Sequence, residues 1–229
     1  MKTISIHQPA YLPWLGYFDK IIKSDIFVYL ETVQFEKNSF TNRNKIKLSN
    51  GLAHWLTIPV LIKGHTEKQI LDLKINESEN WRKKHTQTIE QNYKKAKFFE
   101  IYYFDIKNII YEGTDNFSDF LFDMFIYFCN VLNINTEIIR SKNLNISSVK
   151  SELVLDICRY LNAEKYISGK LGKDYLDLDA FCKNNIEVEF QDYNHPVYNQ
   201  INGGFISRLG IIDALFNVGA EEIKKLLVC

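Results

Sequence analysis

Cysteine, proline and net charge are all scarce in this chain, and each scarcity removes a class of protein. The four cysteines, Cys129, Cys158, Cys182 and Cys229, are scattered over 229 residues without a CxxC or any paired spacing. That argues against a disulfide framework and against a thiolate zinc site. Cys129 and Cys158 fall on apolar faces of helical patterns, where a free thiol acts as a small hydrophobe, and a reducing cytoplasm fits this usage. Lysine plus arginine and aspartate plus glutamate each number 28, so the net charge is zero. A protein that neutralises phosphates usually carries a basic excess, so nucleic acid is not an expected partner. No apolar run of signal-peptide length opens the chain. The longest greasy stretch, Met124–Thr136, lacks charge for thirteen residues, against the roughly 18 that a spanning helix needs. Asp119 and Asp123 stand just ahead of it, so it reads as a buried helix and no membrane span is expected. HxH, HExxH and GxSxG spacings are missing, as is a Cys–His signature. Neither a metal centre nor an ordinary covalent nucleophile is therefore expected.

Proline is short overall, yet two of the four prolines stand in the stretch IHQPAYLPWLGYF, residues 6–18, with one of the three tryptophans. Around it, Lys2–Ile6 alternates polar and apolar residues as a strand does. Leu15, Phe18, Ile21 and Ile22 recur at helical spacing, and IFVYL (26–30) reads as a second strand. A strand, loop, helix and strand within about thirty residues is the length of a βαβ unit. The proline-rich loop then lies at the carboxyl end of the first strand, where open α/β sheets hold ligands.

Further along, HWLTIPVL (54–61) and QILDLKI (69–75) read as strands around a turn containing Gly64. Ser78 is placed to cap a helix from about Glu79 to Ala96, with Trp81, His85, Ile89 and Tyr93 on one stripe. A helix follows over 98–111, and 116–132 is apolar nearly all round. TEIIR (136–140) reads as a strand, and Ser148 as the opening of a helix whose face holds Val149, Leu153, Ile157, Tyr160 and Leu161. KYISG (165–169) reads as a strand, 176–185 as a helix and 186–193 as a strand. Two helices, 206–219 and 220–228, meet at Gly219, which suits a C′ position. No linker, repeat or low-complexity segment interrupts the pattern. The expectation is a single α/β domain over residues 1–229, a mostly parallel sheet flanked by helices.

His7 is the sharpest candidate for chemistry, because it follows a strand directly and enters a loop that Pro9 and Pro13 stiffen. Gly16 lets something approach the start of the next helix, whose free N–H groups suit a phosphate or carboxylate. In VQFEKNSFTNRNKIK (33–47), Phe35 and Phe40 flank a polar stretch in which Arg43 offers a bidentate fork for an oxyanion; a solvated loop is the plain alternative. ISGKLGKDYLDLD (167–179) places Ser168, Lys170 and Lys173 among glycines after a strand. It has the composition of a phosphate-holding loop, though not the P-loop spacing. DYNHPVYNQ (192–200) puts His195, Tyr198 and Gln200 after the last strand. His85 fits a core position as well as a functional one, and His54 and His65 read as surface or strand residues.

The motifs HQPAYLPWLGYFDKI, SDIFV, VQF, NRN, HWLTIPV, YISG with GKDYLD, and NHPVYNQ together resemble the WbqC-like protein family from the first strand to IIDALFNVG. One departure is Gly210, where the family usually has serine. The family is bacterial and tends to occur with surface-polysaccharide (O-antigen) genes. That context implies a nucleotide-linked sugar or an amino sugar as substrate, and the expected activity is transfer of an acyl or aminoacyl group from its donor to the amine of a nucleotide-linked amino sugar. For such a transfer a base is needed near the amine, and His7 and His195 are the candidate catalytic residues. Gln8, Tyr11, Trp14, Gly16, Lys20, Gln34, Asn42, Arg43, His85, Ser168, Lys170, Lys173, Asp174, Tyr198 and Gln200 follow as substrate-binding residues. The N-terminal unit is also similar to the start of the HIGH-type nucleotidylyltransferases and pantothenate synthetase, which would bring in ATP and an adenylate. Here the HxGH spacing is absent, and Tyr17 stands where the second histidine would be. Nucleotidylyl transfer and a non-catalytic sugar- or protein-binding assembly role are the alternatives.

Overall fold

The computed structural model describes residues 1–61 and 68–228, so the expected turn at Gly64, His65 and the terminal Cys229 lie outside the described residues. Its centre is a five-stranded sheet in which every pairing is parallel. The strands are β1 (Thr3–His7), β2 (Ile26–Tyr29), β5 (Glu137–Arg140), β6 (Lys165–Ser168) and β7 (Glu187–Phe190), in the spatial order β5-β2-β1-β6-β7. Both faces are covered, as a parallel sheet requires. Ile4, Ile6, Ile26, Val28 and Tyr166 pack on one face with helices α5 (Lys150–Tyr160) and α6 (Leu178–Lys183). Phe27 and Tyr29 face the other way, into a larger core built by α1 (Leu15–Ile22), α2 (Trp81–Tyr93), α3 (Phe99–Glu112), α4 (Phe117–Val131) and α7 (Ile211–Val228).

The apolar stretch expected to be buried is α4. Asn116 caps it, its side chain accepting the Asp119 N–H at 2.9 Å. Phe125 lies at the middle of this core, with its ring 5.5 Å from both Phe27 and Tyr29, within the range where aromatic pairs add to simple burial. Cys129 and Cys158 are buried, and burial pushes both thiols up to about 12, which keeps them inert.

Three local expectations are corrected. Residues 43–47 form a strand, not a loop: β3 (Arg43–Lys47) pairs antiparallel with β4 (Ala53–Thr57) as a separate hairpin. Residues 69–75 form no strand. They contain a 3-10 turn at Ile70–Asp72, and their backbone is satisfied by isolated bridges from Gln69 to Gln34 and from Ile75 to Val60. Neither serine caps a helix. Asn76 accepts the Ser78 N–H and α2 begins only at Trp81, while Ser148 Oγ is buried without a partner and α5 begins at Lys150. The last two helices are one element broken at Gly219 (φ 79), as expected, but it starts at residue 211 and leaves 206–210 irregular.

The strand order places the site. From β1 the chain runs outward through β2 to β5, then returns to the other side of β1 as β6 and continues to β7. Successive crossovers therefore diverge between β1 and β6, the switch point at whose carboxyl side open α/β sheets form a crevice. His7 and Ser168 are the last residues of those two strands. The neighbouring part of the same edge is closed by charge pairing. Glu31, fully buried after β2, accepts Arg140 Nε at 2.7 Å and also bonds Arg140 Nη2 and Ser118 Oγ. Asp119 meets the same guanidinium at 2.6 Å. Removing one partner of a buried pair leaves the other charge uncompensated, so Arg140→Met should lower unfolding free energy by about 3 kcal/mol or more. Urea denaturation reads this, and a change below about 1 kcal/mol would place the pair with surface ion pairs of small effect.

Candidate active site

The proline-rich loop is held in a strained conformation by three separate segments. Leu12 is fully buried and has φ 45, in the left-handed region that branched L-residues avoid. Asn44, from β3, donates Nδ2–H to the Leu12 carbonyl at 2.6 Å. The Ile211 amide at the start of α7 donates to the Pro13 carbonyl at 2.8 Å, and the Tyr11 amide donates to Phe40 at 3.1 Å. Gly210 presses against the same turn, and a Cβ there would lie 2.9 Å from the Leu12 carbonyl oxygen. Gly210 is thus part of a tight backbone contact.

This loop fixes His7. Its Nδ1–H donates to the Gln8 carbonyl at 3.0 Å, which settles the tautomer, since a carbonyl only accepts. Nε2 keeps its lone pair and has no partner among the described residues. The ring lies against Trp14 (5.8 Å) and Tyr17 (4.8 Å). Burial, then the positive charge of Lys20, push its pKa down to about 3 against the pull of the Gln8 carbonyl. The imidazole is therefore neutral at ordinary pH. Lys20 is itself buried and donates Nζ–H to the Ile6 carbonyl at 2.9 Å. Desolvation pulls its ammonium down to about 7. Tyr17, at the place of the second HIGH histidine, is buried and donates to the Gln8 carbonyl at 3.1 Å.

The segment after β7 crosses this region as a strap. Gln191 donates Nε2–H to the Gly16 carbonyl (2.8 Å) and to Asp19 (2.7 Å). The close approach that Gly16 permits is made by the chain's own rings: a Cβ would stand 2.6 Å from Tyr193 and 2.8 Å from Trp14. A phosphate at the start of α1 would have to displace them. His195 sits half-buried on the strap, accepting the Arg208 amide at Nε2 (3.2 Å), with Tyr193 Oη at 3.4 Å from Nδ1. Burial and then Arg208 push its pKa down to about 4. The far end of the strap is pinned inside the fold. Tyr198 and Tyr93 donate to the two oxygens of buried Asp213 at 2.8 and 2.7 Å, and fully buried Lys47 donates to Gln200 and to the carbonyls of Gly203 and Gly204.

The structure thus groups His7, Gln8, Trp14, Gly16 and Lys20 around the switch point, with His195 on the strap above. Ser168 ends β6, buried beside Gly172, and Lys170, Lys173 and Asp174 follow it in an exposed 3-10 turn. Lys170 faces Asp192 at 3.6 Å, and Lys173 lies over Phe190. Tyr11 and His85 are brought together elsewhere, in the core. The Tyr11 hydroxyl meets His85 Nδ1 at 2.9 Å, and burial takes His85 down to about 4. Tyr198 and Gln200 hold the strap, and Gln34 is exposed beside Gln69. Arg43 lies over Trp55, and its Nε and the Asn42 side-chain Oδ1 are buried without partners among the described residues. Two open concavities, of about 510 and 700 Å³, lie apart from these residues, one lined by Ser24, Asp25 and Thr136 and the other by Ser148, Glu152 and Arg159.

Sequence reasoning missed Asn44, Lys47, Gln191, Tyr193, Arg208 and Asp213. Asp213 was signalled by an acid on the apolar face of IIDALF, and Arg208 only by its place before a helix. Its φ of 58 is visible in the structure alone.

With this geometry established, the comparisons identify the class. The chain belongs to the WbqC-like protein family, whose model matches residues 8–225. It is 35% identical over 231 residues to the uncharacterized protein Rv1507c of Mycobacterium tuberculosis, covering 100% of this chain and 99% of that one. No solved structure matches it. Among the described residues no helix is long and apolar enough to cross a membrane.

Two outcomes follow. Asn44→Ala should cost about 1–3 kcal/mol, because it leaves the Leu12 carbonyl buried and unpaired; unchanged urea unfolding would show that the loop holds itself. The three imidazoles bind protons near pH 6.5 in the unfolded chain but only at about 3 to 4 when folded. The unfolded state then carries more protons in that window, so stability should fall as pH drops from about 6.5 towards 4. Nitrogen-15 spectra should find the His7 ring neutral at pH 5, and an imidazolium there would contradict its assigned surroundings.

Proposed function

We propose that the chain modifies a nucleotide-linked amino sugar for cell-surface polysaccharide, by acyl or aminoacyl transfer to the sugar amine. The observation that carries this reading is His7: a neutral imidazole at the switch point, its tautomer fixed and its Nε2 lone pair unused. In such a transfer the amine nitrogen bonds to the acyl carbon and the donor's leaving group departs. The proton shed by the nitrogen passes to a base, then to solvent or the leaving group. An imidazole held neutral accepts that proton as the new bond forms and the nitrogen becomes acidic. Burial is the larger cause of its low basicity, with Lys20 second, so polar substrate groups beside the ring are what would raise it. This reading assigns the phosphates to Arg43 and Lys45 on the hairpin, with Lys170 and Lys173 after β6 as further cations. His195, whose Nε2 lone pair is taken by the Arg208 amide, is the second candidate base only if that bond opens. In this reading Lys20, Tyr11 and His85 position the loop and do not touch substrate.

The test incubates the full chain with a UDP-linked amino sugar and either an acyl-CoA or an amino acid with ATP. Mass spectrometry should find the amide, and pyrophosphate release would mark an adenylate route. His7→Asn should lower the rate by about a hundredfold or more, the usual range for a lost general base, with nucleotide-sugar affinity retained. Binding without any product would favour the assembly role, and wild-type turnover in His7→Asn would reduce His7 to a loop support.

A further inference from the structure

Beyond the switch point, the outer face of the β3–β4 hairpin presents an exposed aromatic and cationic surface. Arg43, Lys45 and Trp55 share that face, since Lys45 is directly opposite Trp55 and Arg43 is two residues away along the same strand. Arg43 Cζ stands 4.3 Å and Lys45 Nζ 4.8 Å from the centre of the Trp55 ring. Neither cation belongs to an ion pair among the described residues, although most other charged clusters do. The Arg43 Nε is buried with no acceptor among the described residues. Phe40 is 47% exposed and Trp55 36% exposed. The two rings continue inward to the site: His7 to Trp14 is 5.8 Å, Trp14 to Phe40 5.5 Å and Phe40 to Trp55 5.8 Å.

We infer that this hairpin face is the nucleotide subsite, taking a nucleoside diphosphate with its base against Phe40 and Trp55 and its phosphates on Arg43 and Lys45. This rests on the nucleotide-sugar reading and adds the direction in which the substrate lies. Flat apolar rings with water on one side are a surface for a base. A guanidinium already stacked on an indole is preorganised, and its fork edge remains free for oxyanions. The aromatic path joins this face to His7, so a nucleotide held on the hairpin adjoins the switch point. The hairpin is also fixed relative to His7, because Asn44 holds Leu12 and the Gly210 amide donates to the Lys45 carbonyl at 2.8 Å.

The test is calorimetric binding of UDP, and of uridine as the uncharged control, to the full chain and to Arg43→Met, Trp55→Leu and Phe40→Leu. These side chains lie at the surface or its rim, and matching thermal unfolding confirms that each variant folds. Arg43→Met should weaken UDP by about tenfold or more, the scale of losing a charge-assisted contact, and leave uridine within about twofold. Trp55→Leu and Phe40→Leu should weaken both ligands. Wild-type UDP affinity in all three folded variants overturns the subsite while leaving the nucleotide reading in place. Failure of the unaltered chain to bind UDP, dTDP, ADP, GDP or CDP at millimolar concentration overturns the nucleotide reading and this subsite with it.

Discussion

The loop that carries the chain away from His7 depends on Leu12 being held with a positive φ. A leucine in that conformation costs about 1–3 kcal/mol and persists only where surrounding structure over-determines it. Here the holding groups come from distant parts of the chain: Asn44 in the hairpin, the Ile211 amide at the start of α7, and Gly210, which lacks the Cβ that would crowd the turn. The clamp joins the sheet, the hairpin and the C-terminal helix at one point. It also sets the direction in which Trp14 leaves the loop and so the wall against which His7 rests.

Buried charged groups tie the architecture together, while unsatisfied polar atoms lie both along the proposed ligand path and, at Trp81 Nε1 and Ser148 Oγ, away from it. The buried groups that tie elements together are satisfied: Glu31 by Arg140 and Ser118, Asp213 by two tyrosines, Lys47 by three oxygens. Buried polar groups are expected to be paired in this way. The groups facing the proposed ligand path are not. His7 Nε2, the Arg43 Nε and the unpaired Lys45 all lie between the switch point and the hairpin rim. Desolvation keeps His7 neutral, and groups perturbed in this manner concentrate at functional sites.

Much of the sheet was legible because burial on both faces leaves short apolar strands bounded by polar turns, as in IFVYL and TEIIR. The helices at 15–22 and 117–131 were legible from their spacing. The hairpin strand Arg43–Lys47 was not, because Ile46 is its one apolar side chain and its partner strand is mostly exposed. QILDLKI alternates as a strand should, yet only single bridges fall within reach of it. The serines read as caps lost to Asn76 and to an uncapped start. Of the site, His7 could be placed from a strand end alone. Its tautomer, the strap over Gly16 and the partners of His195 could not, since they join residues far apart in the chain. His85 shows the limit of a helical stripe: core and function share that pattern, and only its contact with Tyr11 places it in the core.

The central claim is that ligand binds along the clamped loop, from His7 outward to the hairpin. A crystal structure of the chain with a bound UDP-linked amino sugar tests this most directly. The account predicts the sugar within hydrogen-bond reach of His7 Nε2 and the diphosphate beside Arg43. Ligand density in the concavity lined by Ser24, Asp25 and Thr136, with the loop at His7 empty, would contradict it.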